Sequence, residues 1–220
     1  MTNPVEKARR VRVKVCGITL PPDAEALDAL SLDYLGFNFH PGSKRFVEPG
    51  AAAEMISRLK NAEPVGVFVD ASPEHIAEVV QKTGIRWVQL HGNEGWEILE
   101  RISVPVIKAI PHTRLKDYGG LKAEWESRHS HPRYFLVDTH DAHDGGEFGG
   151  SGQVFDWSLL KSMPLPRPFF LAGGLGPENL AAALKASEPF AVDLNSKVES
   201  APRVKDIDLV RRCLDIVNGL

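Results

Sequence analysis

Two residues able to exchange protons with a substrate stand at the ends of predicted strands. Cys16 follows the alternating segment Val11–Val15, and Asp138 closes the apolar segment Tyr134–Val137. A thiolate can remove a proton from carbon, and a carboxylic acid can donate one to oxygen. At ordinary pKa values of ~8.5 and ~3.9 neither group is in the required state at neutral pH. Local charge would have to lower the thiol pKa, and burial or a nearby anion would have to raise the carboxyl pKa. The purely structural alternatives are a small buried hydrophobic residue for Cys16 and a helix or loop cap for Asp138.

Residues suited to binding anions follow other predicted strands. Glycines cluster at Gly149–Gly152 and at Gly173-Gly174, where backbone amides can approach a phosphate group closely. The segment Asn195–Glu199, after the last predicted strand, could form a short helix whose amino end faces the same anion. Arg45 could clamp a second anionic group such as a carboxylate, the alternative being a solvated loop charge. Together these residues would suit a small substrate with two anionic ends.

These residues need a fold that brings many strand ends together. Eight short apolar strands alternate with helical segments, at residues 11–19, 33–39, 64–69, 87–91, 104–109, 134–138, 169–174 and 190–194. Such strands pair in parallel through right-handed crossovers, which predicts one (β/α)8 TIM barrel over residues 1–220, with residues 1–10 as a flexible N-terminal extension. A doubly wound open sheet is the alternative. In a barrel, Cys16 and Asp138 would face each other across the mouth.

Two local features carry further expectations. Gly119-Gly120 interrupts residues 115–128, which predicts that any helix there starts after the glycines. His91 ends the fourth predicted strand, and we expect it to cap that strand or to satisfy a buried backbone group.

The composition argues against several functional classes. The net charge of -3 argues against binding to nucleic acid. Cys16 and Cys213 lie far apart without a CxxC pattern, which argues against a disulfide framework or a zinc knuckle. The two histidines and two aspartates within residues 140–144 share one glycine-rich loop and indicate a solvated loop rather than a metal site. Neither a P-loop nor a GxGxxG motif is present, so a nucleotide cofactor has no support. The polar residues 1–10 and the lack of a membrane-length apolar run predict a soluble, cytoplasmic protein.

The same residues resemble a known family. From about Val11 to Leu220 the chain is similar to the phosphoribosylanthranilate isomerases of tryptophan biosynthesis. The resemblance lies in seven motifs in order, which are Lys14–Thr19, Phe39–Arg45, Val65–Val69, Val88–Gly92, Val137–Thr139, Gly149–Gly152 with Phe155–Trp157, and Ala172–Leu175 with Pro177–Asn179. It implies a (β/α)8 barrel that catalyses, without a cofactor, the Amadori rearrangement of N-(5-phosphoribosyl)anthranilate.

By position, the resemblance implies that Cys16 is the general base and Asp138 the general acid. Asp138 would protonate the furanose ring oxygen and open the ring to a Schiff base. Cys16 would then remove the C2 proton, giving an enolamine that tautomerises to the ketone. Arg45 falls where the family binds the anthranilate carboxylate. The phosphate-binding positions are Gly150, Gly152, Gly174, Asn195 and Ser196.

The chain departs from the family pattern in three places. Family members commonly read Asp-Val-Ser-Ser-Gly-Val-Glu after the eighth strand, whereas this chain has Asn195 at the first serine and Lys197 at the glycine. The loss of that glycine bears on the turn geometry at Asn195 and Ser196. Gln153 stands where a lysine is frequent, and the loop after Asp138 is a few residues longer.

Other functions remain open on the sequence alone. A metal-dependent phosphosugar epimerase would need converging His and carboxylate ligands, and an aldolase would need a Schiff-base lysine, for which Lys108 is the candidate. A phosphosugar-binding sensor without catalysis is a third possibility. The expected partner is a small phosphorylated molecule, not nucleic acid or a membrane, and both a monomer and a homodimer fit.

Overall fold

The computed structural model describes residues 10–127, 132–138, 157–162, 165 and 168–219. Its main sheet is a closed barrel in which eight parallel strands follow one another in sequence order. The strands are β1 (Arg12–Cys16), β2 (Tyr34–Asn38), β3 (Glu63–Phe68), β4 (Trp87–Leu90), β5 (Val106–Pro111), β6 (Tyr134–Asp138), β7 (Phe169–Ala172) and β8 (Ala191–Leu194). The barrel closes where β8 pairs with β1, with Lys14 opposite Asp193. The predicted barrel is confirmed and the open-sheet alternative is wrong.

Helices connect the strands. The α-helices of the described residues are α1 (Pro21–Asp28), α2 (Pro49–Ile56), α3 (Pro73–Thr83), α4 (Tyr118–Glu126), α5 (Leu159–Ser162), α6 (Leu180–Ser187) and α7 (Ile207–Asn218). A 3-10 helix, Trp96–Arg101, follows β4, and another, Ser196–Val198, follows β8. The chain then forms an antiparallel hairpin of β9 (Glu199–Ala201) and β10 (Val204–Lys205), which the sequence did not predict. None of the helices that the structure describes is long and apolar enough to span a bilayer.

Local capping explains where α3 begins and ends. The Ser72 hydroxyl accepts a hydrogen bond from the His75 amide at 3.2 Å, and Pro73 occupies the first turn, where no amide donor is needed. Gly84 ends the helix with a φ of 72°, a left-handed conformation that favours glycine. Both ends of α3 are therefore explained by residues in or next to the helix.

The start of α4 differs from the prediction. The helix begins at Tyr118 and includes both Gly119 and Gly120, rather than starting after them. The Asp117 carboxylate accepts a hydrogen bond from the Gly120 amide at 3.1 Å, as an N-cap does. A Cβ on Gly120 would lie 2.3 Å from an Asp117 carboxylate oxygen. The glycine therefore makes room for the capping carboxylate.

The barrel interior holds aromatic side chains and buried polar ones. Because side chains alternate along each strand, every second residue points inward. The rings of Tyr34 and Tyr134 contact Phe170 at centroid distances of 5.3 and 5.6 Å, inside the barrel. Lys14, Cys16, Gln89 and Asp193 are also buried. Towards the carboxyl ends of the strands, the interior is therefore lined by polar and ionisable groups.

Candidate active site

Cys16 ends β1 and is almost fully buried, with 7% of its surface exposed. Lys14, two residues earlier on the same strand, shares its face. A Cβ built on Gly36 of the neighbouring strand β2 would lie 2.8 Å from the Cys16 sulfur and 3.2 Å from the Lys14 Nζ atom. Both atoms therefore lie over the same glycine, which leaves room for them.

Lys14 forms a buried ion pair across the barrel seam. Its Nζ atom donates to the Oδ2 atom of Asp193 on β8 at 2.7 Å, and both side chains are buried. Burial disfavours the Lys14 ammonium, but Asp193 and Cys16 outweigh it and raise the Lys14 pKa. Burial raises the pKa of Asp193 although Lys14 opposes that shift. Burial likewise raises the pKa of the Cys16 thiol against the pull of Lys14, which is opposite to the direction expected for a general base.

Asp138 is the last residue of β6, and it faces His91, the residue directly after β4. The His91 Nε2 atom lies 3.3 Å from the Asp138 Oδ2 atom, and the other ring nitrogen lies 2.8 Å from the Gln89 amide nitrogen. If Gln89 donates to Nδ1, the proton of neutral His91 sits on Nε2 and can be donated to Asp138. The expectation that His91 caps a strand or a backbone group is wrong, because both ring nitrogens face side chains. Its contact with Asp138 arises only from tertiary structure.

Arg45 lies at the mouth and is held by a second ion-pair cluster. Its Nε and Nη2 atoms donate to the two carboxylate oxygens of Glu199 at 2.7 and 2.6 Å. Lys205, fully buried, donates to the same carboxylate at 2.8 Å. Among the described residues the Arg45 Nη1 atom has no hydrogen-bond acceptor. The guanidinium group is thus held along one edge and retains donors for a further anion.

Gly17 lets Arg45 occupy this position. Its φ of 79° is left-handed, and a Cβ there would lie 2.4 Å from the Arg45 Cδ atom and 3.0 Å from the Asn195 Oδ1 atom. The glycine that follows the thiol in sequence is therefore required by the arginine side chain that crosses it.

The loops after β7 and β8 pack together. A Cβ on Gly176 would lie 2.9 Å from the Lys197 Cβ atom. Gly174, with a φ of 60°, is fixed by Asn179, whose side-chain amide donates to the Gly174 carbonyl at 3.0 Å. Asn195 accepts a hydrogen bond from Lys205 at 3.0 Å, and Ser196 is exposed at the start of its 3-10 turn. The structure thus brings Gly174, Asn195 and Ser196 to adjacent strand ends, whereas Gly150 and Gly152 lie outside the described residues.

The lysine at position 197 is compatible with the turn after β8. Lys197 lies within the 3-10 helix and does not have a positive φ. The backbone conformation at this position therefore does not require a glycine.

Lys108 does not face the barrel interior. Its neighbours Ile107 and Ala109 belong to the interior cluster, so Lys108 points outward, where its Nζ atom bonds the Gly92 carbonyl at 2.9 Å and Glu94 at 2.6 Å. This contact ties the loop after β4 to β5. In the part of the chain that the structure describes, no group of His, Cys, Asp or Glu side chains forms a metal-binding arrangement, and the loop 140–144 lies outside that part.

Sequence reasoning gave no role to Lys14, Glu199 or Lys205. One signal was available for Lys14, because it stands two residues before Cys16 on a strand and must share its face. No local signal could have paired Glu199 with Arg45, since they are 154 residues apart.

Fold and site together define a (β/α)8 barrel with a thiol, a carboxyl group and an arginine around one mouth, which is where barrel enzymes carry their active sites. The family model described as N-(5'phosphoribosyl)anthranilate (PRA) isomerase matches residues 13–215. The chain therefore belongs to the N-(5'-phosphoribosyl)anthranilate isomerase family, and the resemblance stated from the sequence is confirmed.

Individual relatives agree with this assignment. The N-(5'-phosphoribosyl)anthranilate isomerase of Myxococcus xanthus is 42% identical over 203 residues, covering 91% of this chain and 93% of that protein. A crystal structure of monomers generated from the dimeric isomerase of Thermotoga maritima superposes with a TM-score of 0.78 at 35% identity, covering 96% of this chain and 100% of that one. A structure of the isomerase in complex with reduced 1-(o-carboxyphenylamino)-1-deoxyribulose 5-phosphate has a TM-score of 0.77 at 34% identity, with the same coverage.

Proposed function

We propose that this chain catalyses the Amadori rearrangement of N-(5'-phosphoribosyl)anthranilate to 1-(2-carboxyphenylamino)-1-deoxyribulose 5-phosphate in tryptophan biosynthesis. The observation that carries the proposal is that a thiol, Cys16, ends β1 and a carboxyl group, Asp138, ends β6 of the same barrel. These strands are separated by β7 and β8 around the barrel, so the groups approach a substrate at the mouth from different sides. The identity of the substrate is inferred from the family to which the chain belongs.

Asp138 acts first, as the general acid. Its proton goes to the furanose ring oxygen, the bond from that oxygen to C1 breaks, and the nitrogen lone pair forms the Schiff base with C1. His91, at 3.3 Å from Asp138, is placed to orient the carboxyl group.

Cys16 acts second, as the general base. Its thiolate takes the C2 proton, and the bonding electrons move into the Schiff base to give an enolamine. The enolamine gains a proton at C1 and loses the proton of the C2 hydroxyl, which leaves the ketone. No oxidant is needed, because C1 is reduced as C2 is oxidised within one molecule.

Binding at both ends orients the substrate between these two groups. The unpaired edge of Arg45 accommodates the anthranilate carboxylate, while Gly150, Gly152, Gly174, Asn195 and Ser196 form the phosphate site. Fixing both anionic ends holds the reacting carbons near the base and the acid, which is how binding energy lowers an entropic barrier. The proposal includes a cytoplasmic location, because a phosphorylated substrate does not cross membranes unaided. A monomer and a homodimer both fit this mechanism.

The test follows the loss of substrate fluorescence with a chelator present. We expect metal-independent turnover by the wild type, and a loss of at least about a hundredfold in kcat for Cys16→Ala. The matched control is Cys213→Ala, which removes the other buried thiol, on α7, and should keep its activity. Full activity of Cys16→Ala would refute the base assignment. A wild type that binds phosphate analogues without turnover would instead support the sensor, and turnover abolished by the chelator would support the metal-dependent epimerase.

A further inference from the structure

The proposed mechanism leaves one buried ion pair without a role. Lys14 and Asp193 meet at 2.7 Å inside the barrel, with Lys14 fully buried and Asp193 7% exposed. A buried ion pair is a poor source of stability, because desolvating two charges offsets most of their attraction. Apolar side chains occupy other inward-facing strand positions of the barrel, for example Val65, Ile107 and Ala191. A function for the charges is therefore the better explanation of the pair.

This ion pair lies next to Cys16. Lys14 and Cys16 lie two residues apart on one strand, so both side chains point inward. The Lys14 Nζ and Cys16 sulfur atoms both lie over Gly36, which has no side chain to separate them. Asp193 stands opposite Lys14 in the β1–β8 register and approaches the ammonium group from the other side.

We propose that Lys14 is a positioning residue for Cys16: its ammonium group compensates the charge of the thiolate, and Asp193 holds that ammonium group in place. The inference rests on the proposed role of Cys16 as the base. The thiol first gives its proton to water, and the negative charge left on sulfur lies next to Lys14. When the thiolate takes the C2 proton, the charge on sulfur disappears and Lys14 keeps its pair with Asp193.

The charges around the Cys16 thiol determine in which direction each substitution should shift the Cys16 pKa. Burial raises the pKa of Cys16, Lys14 and Lys205 lower it, and Asp193 raises it. Arg45 faces the thiol from the loop after β2. His91, directly after β4, and Asp138, at the end of β6, face Asp193. Removing the positive charge of Lys14 should therefore raise the Cys16 pKa, and removing the negative charge of Asp193 should lower it.

The experiment measures the rate at which iodoacetamide alkylates Cys16 as a function of pH, with peptide mass spectrometry to resolve the two cysteines. Burial raises the pKa of Cys213 to about 12, so its peptide is the internal reference. For Lys14→Met we expect the midpoint of the alkylation profile to rise by about one to three pH units. For Asp193→Asn we expect it to fall, and Lys14→Arg, which keeps the charge, should stay near the wild type. The acid limb of kcat/KM should move with each midpoint.

Opposite shifts for Lys14→Met and Asp193→Asn support the proposal. Equal midpoints in all variants, or shifts in the same direction, overturn it and leave the pair a structural role. If Lys14→Met does not fold, the downward shift in Asp193→Asn and its absence in Lys14→Arg decide the question. The alkylation rate does not depend on turnover. An inactive wild type with the opposite shifts would therefore refute the proposed function while keeping the electrostatic coupling.

Discussion

Replacing Glu199 with glutamine would remove the charge that connects Arg45 to Lys205. Glu199 accepts two hydrogen bonds from Arg45, at 2.7 and 2.6 Å, and one from Lys205 at 2.8 Å. A glutamine offers one oxygen to these two cations and turns its amide nitrogen towards one of them. The paired edge of Arg45 is then no longer fixed, and Lys205 loses its only carboxylate contact among the described residues.

The structure allows both consequences to be estimated. Lys205 is fully buried, and breaking a buried ion pair from one side costs about 3–5 kcal/mol in the free energy of unfolding. A hydrogen bond to a charged group contributes about 1.5–3 kcal/mol, so losing one between Arg45 and the substrate would raise KM roughly 10- to 100-fold. We expect kcat to change much less, because the acid and the base are untouched.

Urea unfolding followed by tryptophan fluorescence gives the free energy, and steady-state kinetics gives KM and kcat. The double variant Glu199→Gln/Lys205→Met also removes the fully buried ammonium group of Lys205. It should therefore recover most of the stability while KM stays high. The matched control is Glu188→Gln, which breaks an exposed ion pair with Lys161 and should cost less than about 1 kcal/mol with no change in KM.

The pH dependence of the free energy of unfolding provides an independent check on the stabilising role of Glu199. Burial acts to raise the Glu199 pKa, but hydrogen bonds from Arg45 and Lys205 lower it overall. The stabilisation is therefore complete above the pKa of an unfolded glutamate, ~4.3, and is lost as the pH falls through the lower folded value. A double variant that is no more stable than Glu199→Gln, or a Glu199→Gln variant with the wild-type KM, would contradict these roles of Glu199.

Three further outcomes are expected. Asp138→Asn should lower kcat by about 10²- to 10⁴-fold with little change in the inhibition constant of a product analogue, and an unaltered kcat would contradict its role as the acid. Arg45→Ala should raise KM with kcat nearly preserved, whereas an unchanged KM would exclude the carboxylate clamp. Asp28, buried, accepts hydrogen bonds from the backbone amides of Lys60, Asn61 and Ala62 at 2.9, 3.0 and 2.8 Å. Although burial opposes it, these amides lower the Asp28 pKa overall. Asp28→Asn should therefore cost about 1–3 kcal/mol of unfolding free energy near pH 7, and the difference should vanish as the pH falls below the folded pKa of Asp28. Equal urea midpoints at pH 7 would contradict this.

The sequence alone determined the eight strands, the barrel and the family. Strand periodicity and glycine-rich ends are local properties, so they can be recognised without knowing which strands are neighbours. The start of α4 escaped prediction because it depends on a cap: Asp117 accepts the Gly120 amide, which makes a glycine pair suitable within the first turn.

Which charged side chains become partners depends on the tertiary structure. Lys14 and Asp193 are 179 residues apart, and they become partners because barrel closure sets β8 beside β1 in one particular register. Arg45 likewise meets Glu199 only after the chain has closed the barrel and formed the hairpin beyond it. Periodicity tells which face of a strand a side chain occupies, whereas strand order and stagger decide what lies opposite. The environments of Cys16 and Arg45 could therefore not be derived from the chain alone.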